Sequence, residues 1–224
     1  MKRDDWTEEF AQQLADEINR NELVCGVDEV GRGPIAGPVV ACAIIMPKDH
    51  KIPGIKDSKK ISEKKRDQLY ELILENAVGW GIGMVDERVI DEINIRQATL
   101  LAMKNALNSI SDRTGQPIRP DLVLVDAERI DTDIAQRSII KGDDRIYAIS
   151  CASIIAKVTR DRLMIDYSRE YPGYGFEKHK GYGTAAHYEA LRHRGVLPIH
   201  RRSFLHGKDL YDNPEHRGVD HPPV

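Results

Sequence analysis

Residues 23–46 read LVCGVDEVGRGPIAGPVVACAIIM: two apolar runs, Leu23–Val30 and Val39–Met46, joined by the Gly/Pro-rich stretch GRGPIAGP (residues 31–38). Both runs are rich in Val and Ile and have the length of strands. A link this short cannot carry a parallel crossover, so the runs are expected to pair antiparallel. The first run ends on two adjacent carboxylates, Asp28 and Glu29. The tripeptide Val-Asp-Glu recurs at Val85-Asp86-Glu87, where it precedes a helical pattern and Asp86 reads as an N-cap. The tripeptide alone therefore says little, and its surroundings decide.

Upstream, Trp6, Phe10, Leu14 and Ile18 recur every four residues. They predict a short amphipathic helix over residues 5–20, with Asp5 and Glu8 as a capping box. Downstream, Ser62 caps a predicted helix from about Glu63 to Ala77, followed by a strand near Val78–Val85. A longer helix is expected over Glu87–Ile110, with Ile90, Ile93, Leu100, Met103, Leu107 and Ile110 on one face. The loop SDRTGQPIRP leads to LVLVDA (Leu122–Ala127), an apolar run without alternation, as in a buried central strand. RSII (Arg137–Ile140) predicts another short strand. Helical spacing returns at about Ala148–Glu170, then an aromatic, Gly-rich loop, YPGYGFEKHKGYGT, and a helix over Ala185–Arg194. Strands interspersed with helices, opened by a hairpin, predict an α/β fold with a mixed sheet. The expected organisation is an N-terminal helical extension (1–21), one domain (22–212) and a tail rich in Pro and charge (213–224).

The 224 residues suffice for one substantial core. No apolar run approaches the ~18 residues that span a bilayer, and the N-terminal stretch has no apolar signal core; a cytoplasmic monomer is the expectation. Three scattered cysteines, Cys25, Cys42 and Cys151, form no C-x-x-C pair. They argue against a disulfide framework or a structural zinc site. The formal charge of −3 hides an asymmetry: Ala156–Lys208 holds eleven Lys and Arg against five acids, a net of +6, which leaves −9 on the remainder. A basic segment on an acidic chain suits a phosphate-facing surface and equally a solvated helical face.

In both buried-looking strands the apolar run ends at an acid, Asp28 after LVCGV and Asp126 after LVLV. Either one alone could cap the adjoining turn. On neighbouring strands the two carboxylates would meet and raise each other's pKa unless a cation intervened, the arrangement of a Mg²⁺ or Mn²⁺ site. Glu29 would face away from Asp28 in a regular strand; a strand end, a bulge at Gly31 or use of its backbone carbonyl are the alternatives. The GRGPIAGP link lacks the Gly-Lys-Ser/Thr of a P-loop, and its spacing departs from the dinucleotide fingerprint. It offers bare backbone amides beside the acids, with Arg32 for phosphate.

Taken in order, GVDEVGRGPIAGPVVACAII, DSKKIS, LVLVDA, IIKGD, ASIIAKVTRDRLM, YPGYGFEKHKGYGT and GVLPIHRRSF resemble the signature of bacterial type 2 ribonuclease H, the ribonuclease HII family, from about Leu23 to Ser203. The resemblance implies a ribonuclease H-like fold, a mixed sheet flanked by helices with a C-terminal helical region. It implies an endoribonuclease that cuts the RNA strand of RNA–DNA hybrids and cuts 5′ to single ribonucleotides in duplex DNA, the first step of removing misincorporated ribonucleotides. It places the catalytic, metal-holding acids at Asp28, Glu29, Asp126 and Asp143. Gly31, Arg32 and Gly33 match the element that senses the 2′-hydroxyl, and Tyr182 the tyrosine that stacks on the following deoxyribose. Lys59 matches a phosphate-contacting lysine, and Lys157 and Arg160 are further candidates to track the backbone. The implied cofactors are two Mn²⁺ or Mg²⁺ ions, roughly 3.5–4 Å apart in such sites, giving 3′-hydroxyl and 5′-phosphate ends. Many members have Gly where this chain has Ala127; alanine there implies a negative φ. No sizeable extra N-terminal domain is present, so type 2 is expected rather than type 3.

No general-base histidine is needed, so His179, His187 and His193 are expected to contact phosphate or solvent, or to order loops. Rival readings are another metal nuclease of the same fold, a hybrid-binding module without activity, and a zinc site from the C-terminal histidines. The acids speak against the second, and the histidine spacings against the third. No protein partner is indicated, and the tail holds no recognisable clamp-binding peptide.

Overall fold

The short Gly/Pro link has the consequence its length demands: β1 (Val24–Val30) and β2 (Val39–Ile45) pair antiparallel, in register from Cys25↔Ile45 to Val30↔Val40. The computed structural model describes residues 6–55 and 61–205. On the far side of β2, β3 (Gly79–Val85) is antiparallel. On the far side of β1, β4 (Leu122–Asp126) and then β5 (Ala135–Ile139) run parallel to it. The sheet order is β3-β2-β1-β4-β5, the mixed sheet expected.

Helices cover both faces, as the unbroken apolar runs of β1, β2 and β4 require. One face packs on α3 (Glu87–Asn108): Cys25, Val27, Ala41 and Ala43 meet Ile90, Ala102, Met103 and Ala106. Here β3 turns Gly81 and Gly83 to the helix, since a Cβ on Gly83 would lie 2.0 Å from the Ala102 carbonyl oxygen and one on Gly81 2.2 Å from that of Ala106. The other face packs on α5 (Tyr147–Glu170) and α2 (Glu63–Asn76), with Cys42 and Ile44 against Cys151, Ile155, Leu69 and Ile73. A Cβ on Gly26 would stand 2.3 Å from the Ala148 carbonyl carbon. Glycine there lets the start of α5 lie directly on β1. All three cysteines are buried and unbridged, and burial pushes the Cys25 and Cys151 thiols up to about 12.

The N-terminal helix α1 (Glu8–Arg20) rests Leu14, with Trp6, Phe10 and Ile18 beside it, on Val24, Leu122, Leu124 and Ile139. Burial of Leu14 contributes about 1.5–3 kcal/mol. Its cap is Thr7, whose side chain accepts from the Phe10 amide at 3.1 Å; Asp5 of the expected capping box lies outside the described residues. Ser62 caps α2 as expected, accepting from Lys65 N.

Three local features depart from the sequence reading. Asn94 breaks α3 with φ 67° and ψ 160°. Its Oδ1 caps the second half by accepting from Arg96 N (3.0 Å) and Gln97 N (3.2 Å). The apolar face continues across this break, so periodicity could not reveal it. Residues Gly142–Arg145, for which the sequence predicted no helix, form a one-turn helix, α4, and Phe176–His179 form another, α6, inside the aromatic loop. The chain then continues through α7 (Ala185–Arg194) to a 3₁₀ turn at Arg202–Phe204.

The third departure is Ala127, whose φ is +49°, not negative. Immediately past β4 its amide bonds to the Ile139 carbonyl (3.0 Å) and Asp126 O accepts from Glu128 N (2.6 Å). These bonds hold the left-handed turn that glycine would adopt without strain. Ala127→Gly is therefore expected to stabilise the protein by about 1 kcal/mol, read as a higher urea midpoint with an unchanged slope.

Candidate active site

Strand parity selects which acids can meet. On β1, Val24, Gly26 and Asp28 face α5; on β4, Leu122, Leu124 and Asp126 do the same. The parallel register runs Val24↔Leu122 to Val27↔Val125, and one step further sets Asp28 beside Asp126. Asp28 is 5% exposed. It accepts from the Glu29 amide at 2.8 Å and bonds to Ser153 on α5. Asp126 accepts from the Gly142 amide at 2.7 Å, which ties β4 to α4 and its buried Asp143. The Ser150 hydroxyl donates to the Asp143 carbonyl at 2.6 Å.

Glu29 is settled by the register: β1 continues unbulged to Val30, with Glu29 opposite Ala41, so its side chain leaves on the face opposite Asp28. There Arg32 Nη1 lies 3.4 Å from Glu29 Oε1 and 3.4 Å from Glu128 Oε1. Arg96 of α3 reaches Glu128 at 3.8 Å. Glu128 is an acid the sequence did not single out.

Burial first, then the negative charges of Glu29 and Asp126, push the Asp28 carboxyl well above its ordinary range. Burial also raises Glu29; Arg32 opposes this and Asp126 adds to it. Glu29 Oε2 is buried without a hydrogen-bond partner. Like charges gathered in a desolvated place with an orphaned oxygen suit a hard divalent cation, whose ligands are oxygens. Asp28 and Asp126, side by side on β1 and β4, are the carboxylates that could hold it, with Glu29 at the same strand end and Asp143 on α4 as further candidates. Among the described residues no three His, Cys, Asp or Glu side chains already converge on one point.

The link after β1 folds over this end of the sheet. Gly31 has φ +94°, and a Cβ on it would meet Arg160 Nε at 2.4 Å. Arg160 is fully buried and donates to the carbonyls of Pro38 (2.9 Å), Ala36 (2.9 Å) and Lys180 (2.8 Å). It thus fails as a phosphate contact: its donors are committed to carbonyls, and burial lowers its pKa to about 10. Lys157 is engaged with Asp161 at 2.7 Å. Lys59 lies outside the described residues. Tyr182, 44% exposed, lies against Gly33, where a Cβ would be 3.5 Å from its Cε1. The structure therefore sets Asp28 beside Asp126, Arg32 against Glu29 on the other face of β1, and Tyr182 against Gly33.

The histidines order loops. His179 stacks on His187, ring centroids 4.3 Å apart, and His187 Nε2 lies 3.0 Å from His200 Nε2. The shorter contact at His200 Nδ1 is the Leu197 amide at 2.9 Å, which makes that nitrogen the acceptor. His200 Nε2–H then donates to His187 Nε2, and His187 Nδ1–H donates to the Tyr182 carbonyl at 2.9 Å. His193 pairs instead with Glu189 on the surface.

Burial lowers His187 to about 4; burial and His187 together lower His200 to about 3. Both bind protons more weakly folded than unfolded, so their contribution is fully present above about pH 6.5, declines as pH falls below that, and is gone once pH has fallen through the folded values of about 4 and 3. Urea midpoints are expected to fall between pH 7 and pH 4, with a shallower fall in His200→Gln.

A mixed sheet in this order, with acids at the carboxyl ends of neighbouring parallel strands, defines a ribonuclease H-like fold. The fold is similar to that of ribonuclease H2 from Pyrococcus horikoshii OT3 (TM-score 0.69, 27% identity, covering 81% of this chain and 93% of that one). It is also similar to that of Bst-RNase HIII, solved in complex with Mn²⁺ (TM-score 0.58, 20% identity, 76% and 61%). The family model for ribonuclease HII matches residues 25–206. The ribonuclease HII of Alkaliphilus oremlandii is 53% identical over 184 residues, 82% of this chain and 91% of that protein. The chain belongs to the ribonuclease HII family, divalent-metal-dependent nucleases that cleave the RNA of RNA–DNA hybrids. Among the described residues no helix is long and apolar enough to cross a membrane.

Proposed function

We propose that this enzyme cuts on the 5′ side of a single ribonucleotide embedded in duplex DNA, besides cleaving RNA in hybrids, and so begins the removal of misincorporated ribonucleotides. The observation that carries the reading is the juxtaposition at the carboxyl end of β1. Asp28 meets Asp126 there, the side-chain-free Gly31 and Gly33 come directly after, and the exposed Tyr182 ring lies on Gly33.

Asp28, Glu29, Asp126 and Asp143 are assigned to hold two Mn²⁺ or Mg²⁺ ions together with the scissile phosphate. Bound there, divalent ions supply the Lewis-acid charge that makes water a competent nucleophile near neutral pH and offsets charge on the leaving 3′-oxygen. The amides of residues 31–33 are assigned to the ribose 2′-hydroxyl, the group that distinguishes RNA from DNA. Tyr182 is assigned to the next deoxyribose, and Lys59 and Arg32 to phosphates. Water adds at phosphorus, the bond to the 3′-oxygen breaks, and the ends are a 3′-hydroxyl and a 5′-phosphate. The 2′-hydroxyl is read and not consumed.

The test is to map the products from a labelled duplex containing one ribonucleotide, beside an all-DNA duplex. The expected result is one cut 5′ to the ribose, with a 3′-hydroxyl end, and none in all-DNA. Cleavage of both duplexes would defeat the ribose-reading role, and a 2′,3′-cyclic phosphate end would defeat attack by water.

A further inference from the structure

The two elements assigned to read the substrate, residues 31–33 and Tyr182, come from distant parts of the chain, and one short segment touches both. Arg201 is fully buried. Its Nη2 donates to the Gly31 carbonyl (2.6 Å), Nη1 to the Arg32 carbonyl (3.1 Å), and Nε and Nη2 to the Gly37 carbonyl (2.9 and 2.7 Å). In a trans peptide the C=O of one residue and the N–H of the next point in opposite directions, and the described residues contain no cis peptide. Drawing in the Gly31 and Arg32 carbonyls therefore aims the Arg32 and Gly33 amides away from Arg201.

The preceding residue, His200, reaches the other reader. It donates to His187, and His187 donates to the Tyr182 carbonyl. The same carbonyl accepts from the Thr184 amide at 2.8 Å, so Tyr182 is held from two sides. Backbone bonds complete the frame: Gly37 N to Ile199 O (2.8 Å), Arg201 N to Ile35 O (2.9 Å) and Ile35 N to Gly181 O (2.9 Å). Asp91 of α3 anchors the next two residues by accepting from Arg202 N (2.8 Å) and Ser203 N (3.0 Å).

We propose that the dipeptide His200-Arg201 is a positioning unit that sets the Arg32 and Gly33 amides and the Tyr182 ring in register with each other, and so sets the preference for a ribonucleotide followed by a deoxyribose. This rests on the assignment of the Gly31–Gly33 amides and Tyr182 to substrate reading. Neither His200 nor Arg201 touches substrate in this arrangement. Arg201 acts through peptide orientation and His200 through His187. The Tyr182 arm is the one that a substitution can weaken while keeping ring packing, because His187→Phe preserves the stack on His179 and removes both hydrogen bonds.

The experiment measures kcat/KM on a duplex with one ribonucleotide followed by DNA, and on a uniform RNA–DNA hybrid, for each protein preparation. The ratio of the two cancels any loss of folded enzyme. His187→Phe and His200→Gln are each expected to lower the ratio about five- to tenfold, the effect of one lost hydrogen bond. In a Tyr182→Ala background, His187→Phe is expected to change the ratio by less than about twofold, because the two residues act along one path. If Tyr182→Ala lowers the ratio but the histidine variants do not, or if their effects multiply, the positioning role is overturned while the Tyr182 assignment stands. If Tyr182→Ala leaves the ratio unchanged, the Tyr182 assignment itself is wrong and the positioning role falls with it.

Discussion

Asp126→Asn is expected to lower cleavage of a ribonucleotide-containing duplex by at least roughly 10²–10³-fold, the cost of removing one charge-stabilising group from a reaction centre, while the protein stays folded. The asparagine retains an oxygen to accept from the Gly142 amide, now at 2.7 Å from Asp126 Oδ1, so α4 stays docked on β4. The negative charge at 126 is one of the causes that raise Asp28 and Glu29, and its removal relieves both. In chelator the variant should therefore melt no lower than the wild type, and a gain of about 1 kcal/mol would appear as roughly 2–4 °C. Loss of activity with unchanged or higher stability is the mark of a site that keeps repulsion for its function. Equal loss of both would assign Asp126 to the fold alone. Initial rates and melting curves on the same preparation decide it.

Arg201→Ala is expected to produce the largest loss of stability, about 3–5 kcal/mol, because several buried carbonyls lose their donor at about 1–3 kcal/mol each. Arg201 is fully buried, spans the carbonyls of Gly31, Arg32 and Gly37, and stacks its guanidinium over Phe204 at 5.2 Å. Burial first, then repulsion from Arg160, lowers its pKa to about 9, yet it remains charged at pH 7. Lysine cannot replace the planar fork, so Arg201→Lys should recover only part of the loss. Denaturant midpoints measure both variants, and a change below about 1 kcal/mol for Arg201→Ala would mean that the carbonyls find other donors.

The fold was legible where the signal lay in runs and spacing. The short link forced the β1–β2 hairpin, and LVLV without polar alternation implied a buried central strand, which pairs parallel to β1. Its terminal Asp126 then fell beside Asp28 by register. Other features depend on contacts between distant segments and leave no local trace. Arg160 and Arg201 sit in a basic segment, where arginine reads as a phosphate contact, yet both are spent inward on carbonyls. The five glycine and proline residues of GRGPIAGP were the available hint, since a link that tight leaves carbonyls needing donors. The positive φ of Ala127 was hidden because alanine ordinarily avoids it. Asp143 carried no signal of its own; its burial comes from α4 docking on β4 and α5.

The most direct measurement is Mn²⁺ binding to wild type and Asp126→Asn, monitored by the electron paramagnetic resonance signal of the free ion. The expected result is binding by the wild type and at least about tenfold weaker binding by the variant, on the scale by which even outer partners of metal sites alter affinity. Equal binding by the two proteins would contradict the assignment of the carboxylates at the ends of β1 and β4 as the cation site.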